Sequence, residues 1–360
     1  MIIPLINPAS ISCNIRCRYC FHRNKSLHID SSKNEFMKIS MFEYIINNLC
    51  ESYPGEEKIE IIWHGGEPLL AGKKFFAKIV EIQEKLFKEK RKVIVNNLQT
   101  NTTLINEEWI PILKHPSFCI GVSLDGPKEI HDQLRLEKNN KGTFTKVMHS
   151  VSLLIKNKIP VSAVSVINNN HLGKVKKYFD FFAKSGIKSI KVSPCIEFDS
   201  SNEFEVFSLR PGDFSKFCQE LFDLWISSGN TNINFGYIED IVRAIAKGES
   251  GVCLLSNGCK DFIVIDPDGS FHPCDDLFGR ENILGNIKNH NFSDLQTENK
   301  NSYGEFYSKI NQSREDCLNC EWFFMCQKGC PYLWDNNNQY LLCEDNKRLF
   351  SHITNFIASL

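Results

Sequence analysis

Through the first two-thirds of the chain, short runs of β-branched and apolar residues alternate with longer segments whose apolar positions recur at helical spacing. Ile59–Trp63, Val93–Gln99, Phe118–Ser123, Val161–Ile167 and Lys188–Ser193 read as strands, and a first strand is expected just before Cys13. Helical patterns fall near residues 40–52, 73–90, 106–114, 144–157 and 172–184. Repeated strand-then-helix order predicts a parallel sheet with right-handed crossovers and helices outside it. Six strands are too few for a closed eight-stranded barrel, so the fold class is α/β with an open or partial barrel, or a doubly wound sheet. Either architecture puts a functional site at the C-terminal strand ends.

After about residue 235 the pattern changes. Phe262–Asp266 and Ser270–His272 flank Pro267-Asp268-Gly269, a turn signal, and read as a β-hairpin. Beyond it the chain reads as loop-rich, with asparagine-dense stretches at 286–301 and 335–338. A small polar region of this kind needs cross-linking, and metal is the expected agent. A boundary at 235–250 divides the chain into an expected core, 1–235, and a smaller second domain, 236–360.

Composition narrows the picture. At 360 residues and 42% hydrophobic, the chain can bury a sizeable core, which excludes a disordered or collagen-like protein. Lys+Arg 42 against Asp+Glu 43 leaves a net charge of -1, so no basic field argues for nucleic acid or an anionic membrane as partner. The start has no basic region and is broken by Pro4 and Pro8, unlike a secretory signal; Ser10–Cys13 lacks the apolar run of a lipoprotein site. No apolar stretch reaches the roughly 20 residues needed to cross a bilayer. A cytoplasmic protein is expected, where thiols stay reduced and clustered cysteines bind metal or do chemistry.

The 15 cysteines carry that chemistry. Cys13, Cys17 and Cys20 form C-x3-C-x2-C, and three thiolates from one tight loop can hold three corners of a 4Fe-4S cluster, leaving one iron without a protein ligand. Asn14, Arg16 and Arg18 make the stretch too polar for a core helix; zinc, with His22 as spare donor, is the other metal reading. Eight further cysteines, Cys253, Cys259, Cys274, Cys317, Cys320, Cys326, Cys330 and Cys343, suffice for two four-ligand sites, of zinc or of iron and sulfur. Of the rest, Cys50, Cys119 and Cys218 are expected to be buried and inert, while Cys195, past the sixth strand, is a candidate for lining the site.

The cysteine triad, with Tyr19 before its third member, resembles the signature of the radical S-adenosylmethionine (radical SAM) superfamily. The likeness extends to Trp63-His64-Gly65-Gly66-Glu67-Pro68, similar to a motif whose backbone meets the SAM amino group. Ser123-Leu124-Asp125-Gly126-Pro127 resembles an element whose serine contacts the ribose, and Arg135 stands where an arginine pairs with the SAM carboxylate. Ile196 stands where an apolar residue flanks the adenine. The order of the C-terminal cysteines resembles the SPASM extension, which carries two auxiliary 4Fe-4S clusters. That resemblance implies Cys253, Cys259, Cys274 and Cys330 for one cluster and Cys317, Cys320, Cys326 and Cys343 for the other. It also implies a partial (β/α)6 barrel followed by a SPASM domain, three 4Fe-4S clusters, SAM, and a low-potential donor such as flavodoxin or ferredoxin. One departure is Thr102, in Gln99-Thr100-Asn101-Thr102, where relatives read glycine; a loop of altered course is expected there.

Within the superfamily the chain is similar to the anaerobic sulfatase-maturating enzymes, which oxidise a Cys or Ser to formylglycine, and to peptide maturases that form cross-links. Asp275, after Cys274, stands where the former place a catalytic aspartate. His22 and His64 replace a tyrosine and a glutamine of that pattern, and both are expected to face the substrate pocket. The WHGGEP form is seen in peptide cross-linking relatives, so the expectation is a radical SAM oxidoreductase that modifies a peptide or protein side chain, with cross-linking slightly favoured over formylglycine formation. With 12 residues before Cys13, peptide recognition would fall to the barrel or to a separate protein.

Overall fold

In the computed structural model, residues 1–22, 36–199, 201, 203–248, 251, 253–255, 258–277, 282–297 and 302–360 are described. Ile59, Ile61 and Trp63 turn inward, while Lys58 before them is exposed and Glu60 and Ile62 between them are half-buried, the period-two burial of a strand whose alternate side chains meet a core. Among the described residues the strands are β1 (Ile3–Ile6), β2 (Ile15–Cys17), β3 (Lys58–Trp63), β4 (Val93–Thr100), β5 (Phe118–Ser123), β6 (Arg135–Glu137), β7 (Val161–Ile167), β8 (Ser189–Pro194), β9 (Asn234–Phe235), β10 (Phe262–Ile265), β11 (Ser270–His272) and β12 (Gly285–Asn286). The chain folds as two units. One comprises Met1–Ser123, Glu137–Val161 and Cys259–Ser308; the other comprises Leu124–Leu136, Ser162–Gly258 and Lys309–Leu360.

In the first unit the strand order is β12-β11-β10-β1-β3-β4-β5. β10, β1, β3, β4 and β5 run parallel, and β11 and β12 continue antiparallel. Helices Ile39–Ser52 and Lys73–Lys90 pack on this sheet through Phe42, Phe75 and Phe76, whose rings surround the fully buried Trp63. The indole N–H of Trp63 donates to Asn96 Oδ1 (2.9 Å), as a buried indole requires.

Two expectations change here. The first strand ends at Ile6, so Asn7–Ser12 intervene before Cys13. The hairpin assigned to a separate polar region instead joins the core sheet, because β10 pairs in parallel with β1 from Ile3↔Phe262 to Ile6↔Ile265. Ile263, Val264, Ile265 and Phe271 are fully buried, and their pairing satisfies the backbone edge that β1 would otherwise leave open.

In the second unit β7, β8 and β9 pair in parallel and are accompanied by helices Val175–Ser185, Asp213–Ser228, Gly236–Lys247 and Cys343–Ala358. The last lies in the stretch expected to be loop-rich. Its Leu349, Phe350 and Ile353 are buried, and Asp345 accepts from Gly212 N (2.7 Å) and Ser215 N (2.8 Å), satisfying free amides at the start of the Asp213 helix. Among the described residues no helix is long and apolar enough to cross a membrane.

Candidate functional site

Parallel pairing brings the C-terminal ends of β10, β1 and β3 level. Asn7 N donates to Ile265 O (2.9 Å) and His64 N to Ile6 O (3.0 Å), so Asn7, His64 and Asp266 leave their strands at one edge. From Asn7 the chain runs toward Cys13 and lies against the two glycines after β3. Gly66 N donates to Ser10 O (2.9 Å) and Glu67 N to Ser12 O (2.8 Å). A Cβ on Gly66 would stand 2.2 Å from Ser12 O and 2.5 Å from Ile11 O, both backbone atoms that cannot swing aside. Gly65 has φ +92 and the same crowding from Ser10 O at 2.5 Å. The glycine pair thus seats the cysteine loop. Gly66→Ala is expected to destabilise the fold by about 3 kcal/mol, read as a lower midpoint of chemical denaturation; an unchanged midpoint would refute the seating role.

Glu67 is fully buried and ties three segments together. Its carboxyl accepts from Leu69 N (3.0 Å), Thr100 Oγ1 (2.7 Å) and Asn101 N (2.8 Å), while burial pushes it up to about 7 against the donors that favour its charged form. Asn101 extends the tie. Its Nδ2 donates to Asn14 Oδ1 (2.9 Å) and to Cys13 Sγ (3.7 Å), and burial pushes the bare Cys13 thiol up to about 12. Tyr19 is buried within the same cysteine loop.

Thr102 does not reroute its loop as expected. It adopts φ +59, the conformation glycine would take, with its N bonded to Thr100 Oγ1 (3.0 Å) and its O accepting from Ser150 Oγ (2.9 Å). Its own Oγ1 is buried without a hydrogen-bond partner. A β-branched residue in the left-handed region and an unsatisfied hydroxyl together outweigh one lost methyl and the flexibility of glycine, so Thr102→Gly is expected to stabilise by about 1 kcal/mol. A lower thermal midpoint would contradict this.

The other predicted SAM-binding residues are placed as follows. Ser123 Oγ, in the first unit, accepts from Gln99 Nε2 (2.9 Å). In the second unit Arg135 is clamped by Asp125, Nε to Oδ2 at 2.8 Å and Nη2 to Oδ1 at 3.0 Å, and Asp125 Oδ1 also accepts from Val166 N (3.0 Å). Both side chains are buried, so the guanidinium has a fixed plane. Ile196 is buried in the second unit, next to Cys195, which is also buried; burial pushes the Cys195 thiol well up. Cys50 and Cys218 are buried as expected, but Cys119 is exposed. The alternation of β5 turns Phe118, Ile120 and Val122 inward and leaves Cys119 on the opposite side.

Cys317, Cys320, Cys326 and Cys343 line one cavity with Trp322, Tyr340 and Phe350. That donor set fits a group held by four thiolates. Among the described residues no cluster of His, Cys, Asp or Glu is drawn close enough for a single metal ion. Cys259 and Cys274 belong to the first unit, and Cys253 and Cys330 to the second. N–H donors aim at sulfur in each set: Asn101 at Cys13, Asp276 N at Cys274 Sγ (3.2 Å), and Asn346 Nδ2 at Cys326 Sγ (3.7 Å). Such donors stabilise a bound thiolate.

Asp275 is buried at the strand-end edge of the first unit. Its Oδ1 accepts from Asn7 Nδ2 (2.9 Å), and its Oδ2 pairs with His64 Nδ1. Burial opposes its charge, but His64 and then His22 outweigh that and hold the carboxyl well below the usual range. The structure therefore sets His64 against Asp275 and brings His22 into the electrostatic reach of the same carboxyl. Asn7, which holds the Asp275 carboxyl, carried no motif signal; Asn101, which reaches Cys13, and Asp125 lay inside quoted motifs without being singled out.

Residues 8–182 match the radical SAM superfamily, and residues 253–321 match the SPASM iron–sulfur cluster-binding domain. The sequence is 32% identical over 358 residues to the cysteine-type anaerobic sulfatase-maturating enzyme of Clostridium perfringens (strain 13 / Type A), covering 97% of this chain and 95% of the relative. The chain belongs to the anaerobic sulfatase-maturating family of radical SAM proteins. The serine-type enzyme of Bacteroides thetaiotaomicron is 27% identical over 344 residues, covering 91% of this radical SAM chain and 82% of the relative. The solved structure of anSMEcpe with bound AdoMet and Cp18Cys peptide matches with a TM-score of 0.86 at 29% identity, over 99% of this chain and 98% of that one. The α/β radical SAM fold with a C-terminal SPASM domain, and SAM and iron–sulfur clusters as cofactors, expected from the motifs, hold for this chain.

Proposed function

We propose that this radical SAM enzyme oxidises a cysteine side chain of a protein substrate to formylglycine. Whole-length likeness to cysteine-type sulfatase-maturating enzymes supports the reaction, and the observation that carries it is Asp275, a buried carboxylate held by Asn7 and His64 directly after Cys274. In this reading Cys13, Cys17 and Cys20 would hold the cluster, which when bound would supply the electron for reductive cleavage of SAM. Cys253, Cys259, Cys274 and Cys330, and separately Cys317, Cys320, Cys326 and Cys343, hold two auxiliary clusters, three 4Fe-4S clusters in all.

The chain's own residues orient and protect. Gly65, Gly66 and Glu67 seat the loop of the cysteine triad, while Tyr19, Ser123 and Ile196 serve the SAM site. Arg135, its plane set by Asp125, would meet the SAM carboxylate. Asp275 and His64 handle the proton that the oxidised side chain gives up. A core of residues 1–235, a SPASM region of 236–360, a flavodoxin- or ferredoxin-type donor and a cytoplasmic setting complete the proposal.

A second reading is peptide cross-linking, supported by the two histidines beside Asp275. Anaerobic incubation with SAM, a low-potential reductant and a sulfatase-derived peptide tests the choice. Formylglycine formation predicts a product that reacts with a hydrazine reagent. Loss of two hydrogens with no hydrazine adduct would overturn it in favour of cross-linking.

A further inference from the structure

We propose that Asn346 raises the reduction potential of the cluster assigned to Cys317, Cys320, Cys326 and Cys343, with Tyr237 as the residue that positions its amide; this rests on the iron–sulfur assignment proposed above. Cys343 opens the helix Cys343–Ala358, and Asn346 follows it by three residues, so one face of the first turn carries both a ligand and an amide. Asn346 is 1% exposed, and each group of its amide has a partner. Its Nδ2 donates to Cys326 Sγ (3.7 Å) and to the Tyr340 hydroxyl (3.5 Å), and its Oδ1 accepts from the Tyr237 hydroxyl (2.9 Å). A bound thiolate can only accept, so the sulfur requires the amide nitrogen on its side and leaves the oxygen for the phenol. Tyr237, from the helix Gly236–Lys247, is itself buried and so fixes the rotation of the amide. Tyr340 is held in turn, its buried ring lying on Gly329 where any added Cβ would meet it. Three buried side chains thus aim one N–H at one sulfur.

Reduction adds one electron, supplied by a low-potential donor, and breaks no bond to the four thiolates. The added negative charge is shared by the sulfurs. An N–H aimed at sulfur therefore gains more from the reduced state than from the oxidised one, which raises the potential. Tyr340 and Phe350, both buried walls of the cavity, keep water from weakening that contact. The pair makes this cavity a favoured place for an electron drawn from an oxidised side chain.

The test is a redox titration of the reconstituted full-length enzyme followed by electron paramagnetic resonance, with iron content and thermal midpoint measured beside it. The signal of this cluster is the one lost in Cys320→Ala. Asn346→Leu keeps a side chain of similar size and removes the donor. In that variant the one-electron equilibrium of the signal shifts about tenfold toward the oxidised form, a potential lower by about 59 mV, while the other signals stay in place. Tyr237→Phe, which leaves the donor but frees the amide, shifts it in the same direction by less. An unchanged potential in either variant, with iron retained, would overturn the inference. Loss of iron or a lower thermal midpoint with no shift in the signal that remains would also overturn it, by making Asn346 a purely structural residue. Wild type that holds zinc in place of iron, or shows no signal dependent on Cys320, would instead overturn the cluster assignment on which the inference rests.

Discussion

Asp275→Asn is expected to lower modified peptide by about a hundredfold or more while 5'-deoxyadenosine still forms. The amide keeps the shape and the bond from Asn7 Nδ2 to its remaining oxygen, but it removes the charge that holds His64 Nδ1. The imidazole then loses its carboxylate partner. In the proposed assignment, generation of the radical depends on the loop of Cys13, Cys17 and Cys20, so abstraction can proceed without productive oxidation. Quantifying both 5'-deoxyadenosine and peptide by mass spectrometry separates the two steps. Undiminished peptide modification would remove Asp275 from the proton chemistry altogether.

Cys13→Ala is expected to have the larger effect still, loss of 5'-deoxyadenosine to background. Three thiolates are the minimum that leaves one iron open while holding the rest, so two cannot keep the cluster in place. Burial makes the bare Cys13 thiolate costly, and Asn101 Nδ2 supplies a donor to the sulfur. In the proposed assignment, coordination compensates for that burial. Iron should fall from about 12 to about 8 per chain, with both SPASM sites still loaded. Retention of about 12 irons with continued SAM cleavage would show that Cys13 is not a ligand.

The parts of this site that were legible beforehand are those fixed by local chemistry. Three close cysteines, adjacent glycines at a strand end and a carboxylate beside a cysteine are short motifs whose spacing constrains what they can do. The clamp on Arg135 was half legible, since Asp125 lies in the same motif as Ser123, ten residues before the arginine it holds. Asn7 could not be read, because its task arises from the pairing of β1 with β10, strands more than 250 residues apart in sequence. Long-range pairing also explains the hairpin. Phe262–Ile265 is as apolar as any core strand, but nothing local says that β1 has an open edge to receive it. The strand alternation that would have exposed Cys119 was present in Phe118–Ser123, and the apolar character of the run hid it. Thr102 shows the reverse error, where a residue preference was outweighed by bonds to Thr100 and Ser150 from a neighbouring strand and helix.

The most direct test of the account is the ratio of 5'-deoxyadenosine to modified peptide, measured by mass spectrometry after anaerobic incubation of the reconstituted protein with SAM, reductant and a cysteine-containing sulfatase peptide. Equal amounts of the two are expected, with the peptide carrying a hydrazine-reactive aldehyde after water replaces the sulfur, which leaves as hydrogen sulfide. A protein that holds zinc and no iron, forms no 5'-deoxyadenosine and leaves the peptide unchanged would contradict it.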